Sequence, residues 1–467
     1  MTSERLTSPR TRRTAALLLA ATVGLTAAAC GSSTKTASNG GSAGASSGGG
    51  KVTVSIDCEP PTSQPVPRQQ WVDDIAAFEK QNPNVTVKSI DTFPCETPAL
   101  FTAALAGHTE PNVFYTYFTD KQQVLDSGQA ADITQYVNAT TVPTLNDILP
   151  GVLDGQKSDG KLYGIPRSNY SMGMIINRNL FKQAGLNPDK PPTTWAEVAT
   201  DAAAIQKLGG GISGYGDYSA GNNGGWHFVA EMDALGAPVV SSDGKTAAFN
   251  DAQGLSVLQN LHDLRFKDSA MGATQLYKWG DLQKQMASGK LGMYVAAPDD
   301  ITYMVQQLNA KYSDYGMGPI PGTDGPAKGT LAGGDDYMFN VKDTPDQIKA
   351  GVALVNFLKL TMGQGQFNYA RAKSTNQAVG LPEPEFYQGA SLQADNTLKA
   401  ANATMPVANY APFIQAAVPG DLEPGNAQDI YKVLDTAMAS TLTNPNANLQ
   451  QLLKTAETQV NQVLANK

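Results

Sequence analysis

The sequence predicts an α/β protein of two lobes, each a mostly parallel sheet flanked by helices, joined by hinge crossovers. Three features carry that expectation. Strand-like and helix-like segments alternate from residue 52 to 118, and a second alternating set runs from residue 172 to about 317, the pattern that builds sheets with right-handed crossovers. Between the sets, residues 159–181 read DGKLYGIPRSNYSMGMIINRNLF. There Gly160 and Gly164 permit tight turns, Pro166 biases Ile165 towards extended backbone, and Met172, Met174 and Ile176 read as a buried strand. A loop thus becomes a deep strand without a long linker. Finally, residues 315–322 are dense in Gly and Pro and read as the return crossing.

The chain opens on an export signal. Arg5, Arg10, Arg12 and Arg13 form a basic region, and residues 15–29 supply an apolar run too short to span a bilayer. Ala27-Ala28-Ala29-Cys30 resembles a lipobox, cleaved before a lipid-modified Cys30, with Ala27 where the usual Leu would stand. A plain secretory signal with an incidental cysteine is the alternative. The Arg12-Arg13 pair leaves Sec and twin-arginine export both open. Residues 31–50 are almost wholly Gly, Ser, Ala and Thr, a flexible tether spanning roughly 25 Å. A lipid-modified cysteine followed by such a tether reads as attached to a membrane surface.

Cleavage after residue 29 removes four arginines and Glu4, moving the formal charge from −8 to −11. An acidic, mixed surface excludes the basic face that nucleic acid requires. With Cys30 assigned to lipid, Cys58 and Cys95 remain, an even pair in an oxidising compartment. Each stands near the end of a predicted strand, residues 51–57 and 85–91. If those strands are parallel neighbours, a disulfide is possible wherever the Cα atoms approach within about 7 Å. Two free thiols are the other reading, and two ligands without a nearby His make no metal site.

The elements follow in order. The first helix sets Trp71, Ile75 and Phe78 on one face, and a second helix over 99–106 leads to a strand over 113–118. Residues 330–341 are expected to return strands to the first lobe, with an amphipathic helix over 348–360 upon it. Helices near 427–442 and 449–464 are expected on the second. The layout is then a signal over 1–29, a tether over 30–50, a first lobe of 51–163 plus 321–366, and a second of 164–320 plus 367–467.

Around the crossing lie FEKQNPNVTV (78–87), EPNVFYTYF (110–118) and SGQAADITQYV (127–137) upstream, with PPTTWAEV (191–198), MASGKLGMYVAAP (286–298) and YGMGPIPG (315–322) downstream. This ordered set resembles the extracellular solute-binding proteins of ABC importers, family 1, the group that includes maltose-binding protein. The resemblance runs from about residue 52 to the C-terminus. It implies a periplasmic-binding-protein-like type II fold that closes on a ligand by hinge motion. The implied partners are two permease subunits and an ATPase; no cofactor is called for, and a monomer is expected.

Open α/β sheets bind ligands beyond the C-terminal ends of their strands, which selects Asp57 and Glu59 after the first strand, and Thr116, Tyr117 and Asp120 after the third. The resemblance implies ligand contact there, at Tyr170 past the hinge, and at Trp226 in GNNGGWHF (221–228), whose Gly pair reads as flexible. It adds Asp299 after a later strand, Asp335 and Asp336 in the returning segment, and Tyr410 or Phe413. A sugar presents one apolar C–H face and a rim of hydroxyls. Tyr115, Tyr117, Trp226 and Tyr410 offer flat apolar platforms with polar edges. Asp57, Glu59, Asp335, Asp336 and Arg167 offer charge-assisted hydrogen bonds. Each has a plain structural alternative: Tyr115 or Tyr117 as core, Asp335-Asp336 as a solvated turn, Arg167 as a hinge ion pair. Trp71, Trp195 and Trp279 read as structural, with Thr194 capping a helix before Trp195.

Catalysis has little in its favour. His108, His227 and His262 show neither zinc spacing nor a triad pattern, and His227 reads as structural. Residues 209–214 fit G-x-G-x-x-G, but follow a helical pattern and precede a strand, the reverse of the dinucleotide order. The function expected is capture of a mono- or oligosaccharide by lobe closure. Competing readings are receptors for a polyamine, an amino acid or a glycerophosphodiester, and an extracellular glycoside hydrolase, whose carboxylate separation is spatial and invisible here.

Overall fold

The computed structural model describes residues 50–465, save 93, 94, 96 and 97. The export signal, Cys30 and the tether up to residue 49 lie outside the described residues. In order the elements are β1 (Val52–Glu59), α1 (Pro65–Gln81), β2 (Val85–Asp91), α2 (Pro98–Gly107), β3 (Val113–Tyr117), α3 (Lys121–Asp126), α4 (Pro150–Asp154), the small pair β4 (Lys157–Ser158) and β5 (Lys161–Leu162), β6 (Gly164–Ser171) and β7 (Gly173–Asn177). Then come α5 (Arg178–Gln183), α6 (Trp195–Gln206), β8 (Ser213–Tyr215), α7 (Asn223–Ala234), α8 (Ala252–His262), α9 (Asp281–Ala287), β9 (Leu291–Ala296), α10 (Asp299–Leu308) and β10 (Tyr315–Pro319). The chain ends with β11 (Thr330–Phe339), α11 (Pro345–Lys359), α12 (Tyr369–Ser374), α13 (Gly389–Asn402), α14 (Ala411–Ala416), β12 (Gly420–Leu422), α15 (Ala427–Thr443) and α16 (Leu449–Ala465).

Two sheets organise the molecule. The first runs β12-β11-β3-β1-β2, with β6 also paired to β11. Alternation along β1 sends Val54 and Ile56 into a core shared with Trp71 and Phe78 of α1 and with α11. Pro65 opens α1 where its missing N–H costs nothing. Thr344 and Gln347 form a capping box on α11. The second sheet runs β10-β7-β9-β8. All of β7 is buried, and its side chains divide between two cores: Met174 and Ile176 enter one, Ile175 the other. Thr194 and Glu197 cap α6 reciprocally, and Trp195 packs edge-on against Tyr215.

The sheets are mixed rather than mostly parallel. In the second sheet only β8 and β9 run parallel, while β9 and β10 oppose β7. In the first, β1 pairs β2 and β3 in parallel, and β11 opposes both β3 and β6. The direction follows from the hinge: β7 carries the chain out of the first lobe, so the strand bringing it home must run the other way.

The crossing also lies later than the sequence placed it. Residues 164–171 pair with β11 in the first sheet, and the change of sheet falls at Met172, whose N–H donates to the Leu331 carbonyl at 3.0 Å. Phe367 and Tyr387 join the first core, and β12 joins the first sheet. Residues 405–413, with α14, pack on β10 of the second sheet, and α15 and α16 pack on α7 and α8. Among the described residues no helix is long and apolar enough to cross a membrane.

Cys58 and Cys95 form a disulfide, Cα atoms 4.8 Å apart, where a bulge interrupts the pairing of β1 with β2 between Ile56 and Glu59. It closes a loop of 37 residues. Replacing both cysteines with serine is expected to lower unfolding stability by about 3–4 kcal/mol by loop-closure entropy, measured by urea denaturation with and without the bridge.

Candidate functional site

At the lobe junction β11 presents Gly333, Gly334, Asp335 and Asp336 between β3 and β6. Side chains are excluded at the two glycines: a Cβ on Gly333 would lie 2.8 Å from the Tyr170 hydroxyl, and one on Gly334 would strike Phe118 and the Ser168 carbonyl. Asp335 is nearly buried, and its carboxylate takes a two-pronged pair of bonds from Arg167, a bond from the Tyr115 hydroxyl at 2.9 Å and one from Ser168 at 3.1 Å. The Arg167 guanidinium also lies 5.3 Å from the Tyr115 ring centre. One charge pair thus knits β11, β6 and β3 together.

A second corner gathers on Glu423, just past β12. The Tyr170 hydroxyl and the Trp226 indole N–H, the latter at 3.2 Å, both donate to Glu423 Oε1. The two rings meet edge to face at 6.3 Å. Burial pushes the Glu423 carboxyl up to about 7, against the bonds from Tyr170 and Trp226. Trp226 reaches this corner because Gly224 and Gly225 let the start of α7 press on α15: any Cβ on Gly225 would collide with the Tyr431 backbone. Asp435 of α15 accepts from the amides of Asn222 (2.6 Å) and Gly225 (2.9 Å), placing negative charge at the helix N-terminus. The Gly pair, read as flexible, is instead a buried close approach.

From the second lobe, Asp299 at the start of α10 remains open to solvent. Its carboxyl is raised, chiefly by desolvation and then by Asp335, with Arg167 opposing. The charges of Asp335 and Arg167 thus reach Asp299 across the junction. Asp57 accepts from the Tyr115 amide at 2.9 Å, and burial pushes it up to about 7. Tyr117 stands half-buried, edge-on to Tyr115 at 5.4 Å. Glu59 is engaged by Arg68 at 3.1 Å, and Asp120 is buried before α3.

Three expected residues do not reach this surface. Asp336 follows Asp335, so strand alternation sends it to the opposite face; it is fully buried beside Gly164 and Gln156. Thr116 alternates away from Tyr115 and Tyr117 in the same manner, and is fully buried. Tyr410 is a core residue of the second lobe, its hydroxyl donating to the Tyr312 carbonyl at 3.0 Å. His227 is buried against Asp217 at 2.7 Å, a structural pairing. Among the described residues no group of three His, Cys, Asp or Glu is placed to hold a metal.

Sequence reasoning missed Glu423, Lys359 and Glu383. Lys359 ends α11 with its ammonium 5.6 Å from the Trp71 ring centre and 5.7 Å from that of Tyr337. Burial, then Arg167, lowers its pKa to about 7. Glu383 is raised by desolvation, with Asp299 and Asp395 adding to the shift and Lys399 and Arg167 opposing it.

A cavity of about 820 Å³ adjoins this cluster rather than coinciding with it; Phe118, Val152, Ile414 and Leu422 wall it, and among the expected residues Tyr170 and Phe413 line it. Hydroxyl recognition needs converging donors and acceptors. Those are at the polar cluster, so the cluster is the candidate site and the cavity its apolar neighbour.

Asp57, Asp300 and Glu423, each pushed up to about 7 chiefly by burial, set a pH dependence. Their folded pKa values exceed the unfolded ones, so the native state holds the extra protons and stability falls as pH rises from about 4 through about 7. Lys359, lowered to about 7, restores stability only above that point. Ligand-free protein is expected to melt higher near pH 5 than near pH 7 by scanning calorimetry; a rising Tm over that interval would contradict these burial assignments.

A two-lobed α/β chain with an aromatic and carboxylate cluster at the lobe junction defines a solute-binding protein of the ABC-importer type. The family model described as bacterial extracellular solute-binding protein matches residues 62–365, and the chain belongs to that family. A binding protein of Brucella abortus is 27% identical over 354 residues, 72% of this chain and 78% of that one. Among solved structures, a solute-binding protein of Thermotoga lettingae TMO bound to α-D-tagatose aligns with TM-score 0.69 at 19% identity, covering 88% of this chain and all of that one. UgpB of Mycobacterium tuberculosis with glycerophosphocholine aligns at 0.68 and 18% identity, covering 89% and 99%.

Proposed function

We propose that this receptor captures a sugar, a mono- or oligosaccharide, by closure of its lobes, and hands it to the permease of an ABC importer. The observation that carries this reading is the corner where Tyr170 and Trp226 share the Glu423 carboxylate, aromatic faces beside hydrogen-bonding groups. Arg167 is occupied by Asp335, and carboxylates outnumber cations around it, an arrangement suited to a neutral polyol rather than a phosphodiester. Closure requires the solute to bind the closed form more tightly than the open one. Calorimetry with sugars against glycerophosphocholine tests the choice: saturable heat with a sugar supports it, and heat with the phosphodiester alone refutes it.

Residues 1–29 are proposed to be removed on export and Cys30 to carry the lipid anchor, leaving a monomer at the outer face of the cell membrane with no catalytic activity of its own. Cys30→Ser is expected to release the protein from the membrane fraction into the medium. Retention at the membrane would refute the anchor.

A further inference from the structure

A second cavity, about 630 Å³, opens on the second lobe between the end of α7, residues 236–244 and β12 with the turn after it. Val229, Val239, Val240 and Leu464 give it one apolar strip, Ser241 and Ser242 a polar one, and Asp233 and Asp421 give it two carboxyl groups. Asp233 is only 9% exposed, and its Oδ2 has no hydrogen-bond partner among the described residues. Asp421 is exposed at the mouth. The one basic side chain on the wall, Lys328, lies with its stem across Gly236. The charged and titratable groups facing Asp233 are Asp421, Glu423, Tyr431 of α15 and Lys328.

A buried acid with no donor, on the wall of a cavity roomy enough for a small molecule, is costly unless a proton or a positive charge occupies it. Two carboxylates repel an anion. They are too few for a metal, and no metal-holding group of three occurs among the described residues. The valines and Leu464 offer a narrow strip for a short hydrocarbon chain, beside a rim made polar by Ser241 and Ser242.

We propose that this cavity binds a small organic ammonium of the primary alkylamine class, its charged end between Asp233 and Asp421 and its carbon chain on the valine wall. The site is separate from the junction: Trp226 and Asp233 stand seven residues apart on α7, about 10 Å along the axis. Proton competition adds a signature. Burial, Asp421 and Glu423 push Asp233 up to about 8, so an ammonium displaces a proton there at neutral pH.

The test titrates 15N-labelled protein with n-butylammonium, and with n-butanol as its neutral counterpart, following the amides of Gly236, Val240 and Gly425. Saturable shifts at these amides are expected with the ammonium, at least tenfold weaker with the alcohol. Affinity should rise about fiftyfold from about pH 6 to about pH 8, as Asp233 gives up its proton. Asp233→Asn should lower it at least tenfold, and Asp421→Asn, at an exposed position, several-fold. Shifts only elsewhere, no saturation, an equal response to butanol, or indifference to both variants overturns the proposal.

Discussion

Trp226→Ala is expected to weaken solute capture by about 100-fold, roughly 3 kcal/mol, the loss typical of an aromatic anchor at the centre of a recognition site. The substitution removes a half-buried indole face and one of the donors on Glu423. Tyr170 keeps its bond to a carboxylate that burial already pushes up to about 7. The fold should survive, because the approach of α7 to α15 depends on Gly225 and Asp435 rather than on the indole. Trp226→Phe, which keeps an apolar face and loses the N–H, should fall between. Calorimetry with the preferred sugar reads both variants, and unchanged affinity in the alanine variant would remove this residue from the site.

Asp335→Ala should produce the largest loss of stability, about 3–5 kcal/mol, the range for breaking a buried ion pair from one side. Arg167 would lose its two-pronged partner while remaining near Lys359, and Tyr115 and Ser168 would lose their acceptor. Against a total of about 5–15 kcal/mol for a typical domain, that is a large share. Adding Arg167→Met should recover much of it, since the penalty is the uncompensated cation rather than the missing attraction. Urea denaturation of the two variants decides. A single variant within about 1 kcal/mol of the parent would show the pair to be solvated.

Much of the architecture was legible because it rests on local signals. Thr194 before Trp195 caps a helix, the period-two pattern of residues 52–56 buries a strand face, and the buried strand after the change of sheet announced itself in the Met172 run. Strand direction was not legible. A fully buried strand such as β7 has the same composition whether its neighbours run with it or against it.

The site divided along similar lines. Tyr170 near the end of β6, and Trp226 and Asp299 at helix starts, stand where the strand-end rule and the ordered motifs point, whereas Arg167 and Asp335 lie inside their strands and pair with each other. Asp336 and Thr116 were misplaced by strand parity, which a run of two like residues conceals. Tyr410 shows that a buried aromatic and a ligand platform share one composition. Glu423 carries no local signature, because α7 and β6, far away in sequence, bring it its partners.

The most direct measurement is native mass spectrometry of the protein after incubation with an equimolar mixture of monosaccharides, oligosaccharides, glycerophosphodiesters and amino acids. The expected result is a single saccharide adduct at one-to-one stoichiometry, absent from Trp226→Ala. A spectrum in which the retained mass is a phosphodiester or an amino acid, or in which no saccharide is held, would contradict the assignment of this receptor to sugar.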